Sequence, residues 1–200
     1  MALNNLGNSY SRLSAIVDKE ANLGRAISAY PEALKVRTLA AFPMDYAMTQ
    51  NNLGNAYRGL AEVREPEANL GKAIAAFQES LKVRTLDAFP VQYAMTQNNL
   101  GVAYRGLAEV REKEANLGKA IAAFQESLKV YTLDAFPVQH VRLLSLTSVL
   151  YAQTGQMTLA ERSLGEAETA VREAQLAELF EMAQQARDEV RRIHQAAAKQ

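Results

Sequence analysis

The sequence predicts an all-α protein, an α-solenoid of stacked antiparallel helical hairpins closed by a C-terminal capping helix. Three observations predict it. The stretch 46–92 recurs almost unchanged as 93–139, a period of 47 residues, and the copies differ only at Asn55/Val102, Pro66/Lys113 and Arg84/Tyr131. Within each copy the apolar residues recur at helical spacing. No stretch alternates apolar and polar residues between turn signals, so no strand pattern competes. One hairpin cannot bury its own apolar stripe, and near-identical hairpins in tandem solve that by sharing a core with their neighbours.

Each element follows from the residues of one copy. Leu53, Ala56, Tyr57, Leu60 and Val63 share one face of a first helix, and Leu70, Ala73, Ile74, Phe77, Ser80 and Leu81 one face of a second. Arg64-Glu65-Pro66-Glu67 is a polar turn between them, with Pro66 and two carboxylates suited to the opening of the second helix. The hairpins are joined by Thr85-Leu86-Asp87-Ala88-Phe89-Pro90 and its copies at 38–43 and 132–137, in which proline stops one helix or opens the next. The same phase reaches back to Asn4-Asn5-Leu6-Gly7 and forward to Tyr151, so the repeats fall at about 1–45, 46–92, 93–139 and 140–173 in a single domain over 1–200. Leu176, Leu179, Phe180, Ala183, Ala186, Val190 and Ile193 continue a helical stripe with a polar reverse side, predicting the capping helix at about 175–197, separated from the preceding helix near 173–175. Pro31, where Gln78 and Gln125 stand in later copies, predicts a local distortion of the first hairpin's second helix.

Asn52-Leu53-Gly54-Asn55-Ala56-Tyr57, followed by Ala73-Ile74, Phe77 and Ser80, resembles the tetratricopeptide repeat (TPR) family. The physical reading of those residues agrees: Gly54 lets two helices approach, Tyr57 and Phe77 fill the core, and small Ala73 and Ser80 make room. The resemblance covers roughly residues 1–173 and implies a right-handed superhelix. The fourth repeat has the ordinary family spacing, whereas the first three carry seven extra residues between Tyr57 and Ala73 or their equivalents, compared with Tyr151 to Ala160. Such extended repeats resemble those of kinesin light chains and of large bacterial signalling proteins, where they accompany NTPase or peptidase domains. The chain departs from the family pattern in having Gln50 and Gln97 where Leu3 and Leu144 stand in the outer repeats.

Composition removes other functions. The chain has 22 basic and 22 acidic residues and no cysteine, so a nucleic-acid partner, a thiolate metal site and cysteine chemistry are not expected. No basic leader followed by an apolar run is present, and no apolar run nears the roughly 18 residues of a membrane span. A soluble, cytoplasmic protein without membrane contact is expected. His140, in the register of Tyr46 and Tyr93, and His194 are far apart and form no metal motif. Gly24, Gly71 and Gly118 recur once per repeat and read as packing positions, not as a phosphate loop. Glu62, Glu65 and Glu67 with Arg64 read as a solvated turn. Neither an enzyme nor a cofactor is expected.

The resemblance implies instead a concave groove lined by the first helices. Carried residue by residue, it holds Met1, Asn4, Asn8, Ser11 and Arg12; Met48, Asn51, Asn55, Arg58 and Gly59; Met95, Asn98, Val102, Arg105 and Gly106; and Arg142, Ser145, Val149, Ala152 and Gln153. Asparagine amides can satisfy an extended peptide backbone without dictating its sequence, and arginine attracts carboxylates. Asn51 and Asn52 have a second reading, as bridges between hairpins. The family's carboxylate clamp has lysine where Asn4 stands, so a chaperone-tail ligand is not expected. The expected function is a protein–protein interaction scaffold that binds an extended, acidic or mixed peptide. The alternative is a self-assembly module, homo-oligomeric through its first hairpin, or a sensor segment of a larger signalling protein.

Overall fold

In the computed structural model, which describes residues 2–174 and 176–199, regular structure is helical throughout. The elements are α1 (Ala2–Leu13), α2 (Lys19–Leu34), α3 (Pro43–Ala61), α4 (Pro66–Leu81), α5 (Pro90–Ala108), α6 (Lys113–Leu128), α7 (Pro137–Gln153), α8 (Met157–Glu173), a 3-10 turn (Ala177–Leu179) and α9 (Phe180–Ala197). Met1 and Gln175, named above for the groove and for the break before the capping helix, lie outside the described residues. The chain falls into two compact units, Met1–Asn116 and Leu117–Gln200, with the division inside α6.

Proline sets the helix starts. Pro43, Pro66, Pro90 and Pro137 are the first residues of α3, α4, α5 and α7, where a missing N–H costs nothing and φ is already helical. In each linker the threonine oxygen (Thr38, Thr85, Thr132) accepts from the N–H of the alanine three residues on, at 3.2–3.3 Å. Its carbonyl accepts from the phenylalanine N–H before the proline. Pro31 does not end α2, which runs on to Leu34.

The turns inside the hairpins are tighter than their composition suggests. Asp18, Glu65 and Glu112 adopt left-handed φ values of 51°, 44° and 45°, a conformation that costs a side-chain-bearing residue roughly 1 kcal/mol. Offsetting this, Asn22, Asn69 and Asn116 each donate Nδ2–H to the carbonyl five residues back (Val17, Arg64, Arg111) at 2.7 Å. The charged residues of these turns form exposed ion pairs: Arg64 bonds Glu65 and Glu20, and Arg111 bonds Glu112 and Glu67. These carboxylates raise both guanidinium pKa values above the ordinary one. The extra residues of the early repeats are shared out, two at the end of the first helix, one in the turn and four at the start of the second.

In the first unit α1 packs on α2 and α3 on α4, and α2 lies against α3 and α4 against α5. Glycine governs the approach within each pair. A Cβ at Gly54 would stand 2.6 Å from the Phe77 ring, and one at Gly7 would stand 2.5 Å from the Tyr30 ring. Leu23, Ala26 and Tyr30 of α2 then bury Leu53 and Ala56 of α3. Gly24, Gly71 and Gly118 correct the packing expectation, because the space a Cβ would occupy at each is open. Nothing there needs glycine, so Gly71→Ala is expected to raise stability by about 1 kcal/mol, read as a higher urea midpoint at constant m-value.

In the second unit α7 packs on α8, and α9 covers both. The buried face of α9, Ala183, Ala186 and Val190, meets a core that includes Val141, Ala170, Val171 and Leu179. Arg187 of α9 forms a two-pronged ion pair with Glu168 of α8. His140 Nδ1 lies 2.8 Å from the Tyr131 carbonyl, which ties it to the preceding linker. His194 is exposed.

Candidate functional site

The first helices α1 and α3 of the first unit border a cleft of about 510 Å³. Helical spacing puts its side chains there: Asn8, Ser11 and Arg12 share one face of α1, and Asn52, Asn55, Arg58 and Gly59 one face of α3. Leu23, Tyr30 and Ala56 supply apolar surface to its lining, and Lys19, the first residue of α2, and Glu62, just past the end of α3, join it. The volume falls within the usual range of ligand pockets.

A network built on Tyr30 shapes one wall. Its hydroxyl donates to Asn8 Oδ1 at 2.9 Å and lies 3.2 Å from Ser11 Oγ, while Asn52 Nδ2 donates to the same Asn8 oxygen at 3.0 Å. Asn8 Oδ1 is thus fully used by the fold, leaving its Nδ2–H₂ for a ligand. Burial raises the Tyr30 pKa, with Ser11 opposing, so the phenol stays protonated at neutral pH.

Cations outnumber anions around the opening. Arg12, Lys19 and Arg58 line it with a single carboxylate, Glu62, which is paired to Lys19 and lies 3.9 Å from Arg58. The Arg58 Nε is buried with no hydrogen-bond partner. A cleft with this excess and a low-dielectric lining concentrates a positive potential.

The expected groove residues divide into three groups. Asn8, Asn55 and Arg58 line the cleft together with Ser11, Arg12 and Gly59. Asn4 and Asn51 do not: they are 2% and 3% exposed, so neither faces the groove, and Asn51 takes its second reading, as a bridge between hairpins. The Thr49 hydroxyl lies 3.1 Å from Asn4 Oδ1, and Asn51 Oδ1 accepts from Asn99 Nδ2 at 3.2 Å with the Thr96 hydroxyl at 3.5 Å. These amides join α1 to α3 and α3 to α5. Asn98 and Val102 are half-buried on α5 and Arg105 is exposed there, away from this cleft. In the second unit Ser145 and Ala152 are buried, whereas Arg142 and Gln153 are exposed.

Tyr30, Lys19 and Glu62 were not expected at the site. Tyr30 had a legible signal, since Phe77 and Phe124 stand in its register and only Tyr30 adds a hydroxyl. Lys19 and Glu62 had none, because they stand at helix ends, outside the run of apolar residues that locates a face.

A family model described as "Uncharacterized protein conserved in bacteria (DUF2225)" matches residues 51–190. The chain belongs to that family. The match runs from the middle of α3 to the buried Val190 of α9, across the later repeats and the capping helix. No curated protein matches the chain. Among the described residues no helix is long and apolar enough to cross a membrane, and no cluster of three metal-ligating residues occurs.

Proposed function

We propose that the chain is a non-catalytic binding module of the tetratricopeptide type, a right-handed array of helical hairpins working in the bacterial cytoplasm. It holds an extended acidic segment of a partner protein in the cleft between α1 and α3. The single observation that carries this reading is the set of Arg12, Lys19 and Arg58 around one opening with only Glu62 to balance them. A bound carboxylate would pair with the guanidinium groups of Arg58 and Arg12, which both border the cleft. The Asn8 and Asn55 amides would serve the peptide backbone without demanding a sequence.

Fluorescence anisotropy with glutamate-rich, neutral and lysine-rich peptides tests it. Acidic peptides are expected to bind best, and binding should weaken with added salt as surface electrostatics are screened. Arg12→Ala and Arg58→Ala should each cost about tenfold in affinity, near 1.4 kcal/mol. Asn51→Ala should instead lower stability by about 1 kcal/mol and leave affinity unchanged, because it removes a buried bridge and no ligand contact. Equal binding of all three peptides, or arginine variants that bind like the parent, would sink the reading.

A further inference from the structure

The cleft between α1 and α3 holds two guanidinium groups that the fold leaves without a hydrogen-bonded anion. Glu62 is the one carboxylate among its lining residues, and it is hydrogen-bonded to Lys19. The Arg58 guanidinium lies 3.9 Å from Glu62, beyond hydrogen-bond length. Arg12 is exposed and makes no ion pair among the described residues. Whatever the pairing, Arg12, Lys19 and Arg58 against Glu62 leave an excess of two positive charges at one opening.

The two arginines enter the cleft from different helices at nearly one level. α1 and α3 run parallel, because Asn4 meets Thr49 and Asn8 meets Asn52 in step along them. Continuing that step sets Arg12 level with Ala56, so Arg58 stands two residues, about 3 Å, further along a helix whose axis lies about 8–10 Å away. Two long side chains span such a gap with an anion held between them.

We infer that this anion is a phosphate monoester, carried on a phosphorylated side chain of the acidic segment; the inference rests on the binding function proposed above. A glutamate brings one negative charge and a flat carboxylate, whose two oxygens offer one edge to a guanidinium fork. A phosphate monoester carries about −1.5 to −2 near neutral pH, and its three free oxygens offer three such edges. It therefore matches the excess of two charges and gives Arg12 and Arg58 an edge each, which a single carboxylate does not. Lys19 holds Glu62, which would otherwise repel the phosphate at the same opening. The Asn8 and Asn55 amides lie in the same lining and suit the backbone on either side of the modified residue, which favours a peptide over a free phosphate ion.

Short peptides of one sequence, with phosphoserine, glutamate or serine at one central position, test this by fluorescence anisotropy on the whole chain. Near neutral pH, phosphoserine is expected to bind at least tenfold more tightly than glutamate, and glutamate more tightly than serine. Between about pH 5.5 and about pH 7.5 the phosphopeptide should gain about fourfold as its second proton, of pKa about 6, leaves, whereas the glutamate peptide stays nearly constant. Arg12, Lys19, Tyr30, Arg58 and Glu62 are the titratable groups of the lining, and no histidine is among them, so the gain reports the phosphate. Arg12→Lys keeps the charge and loses the fork, and should shrink the preference for phosphoserine over glutamate several-fold. Phosphoserine and glutamate peptides that bind equally overturn the inference and leave the acidic-segment function standing. Failure of all three peptides to bind sinks that function and the inference with it. A phosphopeptide affinity that does not change with pH, an unchanged preference in Arg12→Lys, or inorganic phosphate that binds as tightly as the phosphopeptide also overturns the inference.

Discussion

Gly54→Ala is expected to lower stability by about 3 kcal/mol, although it is among the smallest changes a sequence can undergo. The added methyl would stand 2.6–2.9 Å from three atoms of the Phe77 ring, closer than carbon atoms tolerate. The ring cannot retreat, because Phe77 is fully buried and its helix is held by further buried neighbours on the same face, Ala73, Ile74 and Ser80. Ser80 donates its hydroxyl to the Ala47 carbonyl of α3 at 2.8 Å, a second tie that resists separation of α3 from α4. Overpacking of a rigid contact costs at the upper end of its usual 1–3 kcal/mol. Urea denaturation followed by circular dichroism measures the loss, and hydrogen exchange should locate it in α3 and α4. The explanation makes a second demand. Phe77→Leu, costly alone through the cavity it leaves, should cost less in the Gly54→Ala background, because the smaller side chain gives the methyl its space. Additive effects would show that the two positions do not press on one another and that the loss comes from elsewhere.

The same contact shows how far the residues could be read before the fold. A glycine in a first helix, an aromatic in a second and small residues around both are required by close packing, and the 47-residue period repeats that requirement. The prolines were legible for a similar local reason, a fixed φ and a missing donor at a helix start. The groove was less legible. Helical spacing states which residues share a face but not how far that face turns towards the next hairpin, and Asn4 and Asn51 lie on the side that turns inward. Their burial did have a signal in the threonines repeated at 49 and 96, which face these amides. The three recurrent glycines misled for the opposite reason: repetition reflects duplication of the unit, and a duplicated residue need not pack against anything. The division between residues 116 and 117 had no compositional signal, since it falls within a copy that matches its neighbour almost residue for residue.

Duplication also leaves a flaw that two further substitutions should repair. Arg37 and Arg84 occupy the same place in successive repeats and are 7% and 4% exposed. Each donates to a threonine hydroxyl, Thr49 at 3.3 Å and Thr96 at 3.2 Å. Among the described residues only Arg37 of the two has a counter-ion, the Asp45 carboxylate at 3.5 Å, because Gln92 stands in the register of Asp45. Arg84 Nε is buried without a hydrogen-bond partner. Burial holds the Arg84 guanidinium below its ordinary pKa, the sign expected when folding opposes the charged form. A base lowered in this way destabilises the fold at every pH below its folded-state value, so the penalty is present throughout the neutral range and rising pH relieves it only on the alkaline side. Gln92→Asp supplies the missing anion in the first turn of α5, where the helix dipole also favours it. Asp45 is partly exposed, so the gain is limited to about 1 kcal/mol, or about 2–4 °C in melting temperature. Arg84→Tyr removes the charge instead. Its model is Tyr131 in the next repeat, 9% exposed and edge-on to Phe136 with ring centroids 5.1 Å apart, and Phe89 stands ready at the matching place. Replacing a buried unpaired charge with a packed aromatic should gain about 2 kcal/mol. Asp45→Gln provides the converse, turning Arg37 into a second unpaired guanidinium and lowering stability. If thermal melts show Gln92→Asp and Arg84→Tyr both neutral while Asp45→Gln is costly, then burial of Arg84 carries no penalty and the account of its environment fails.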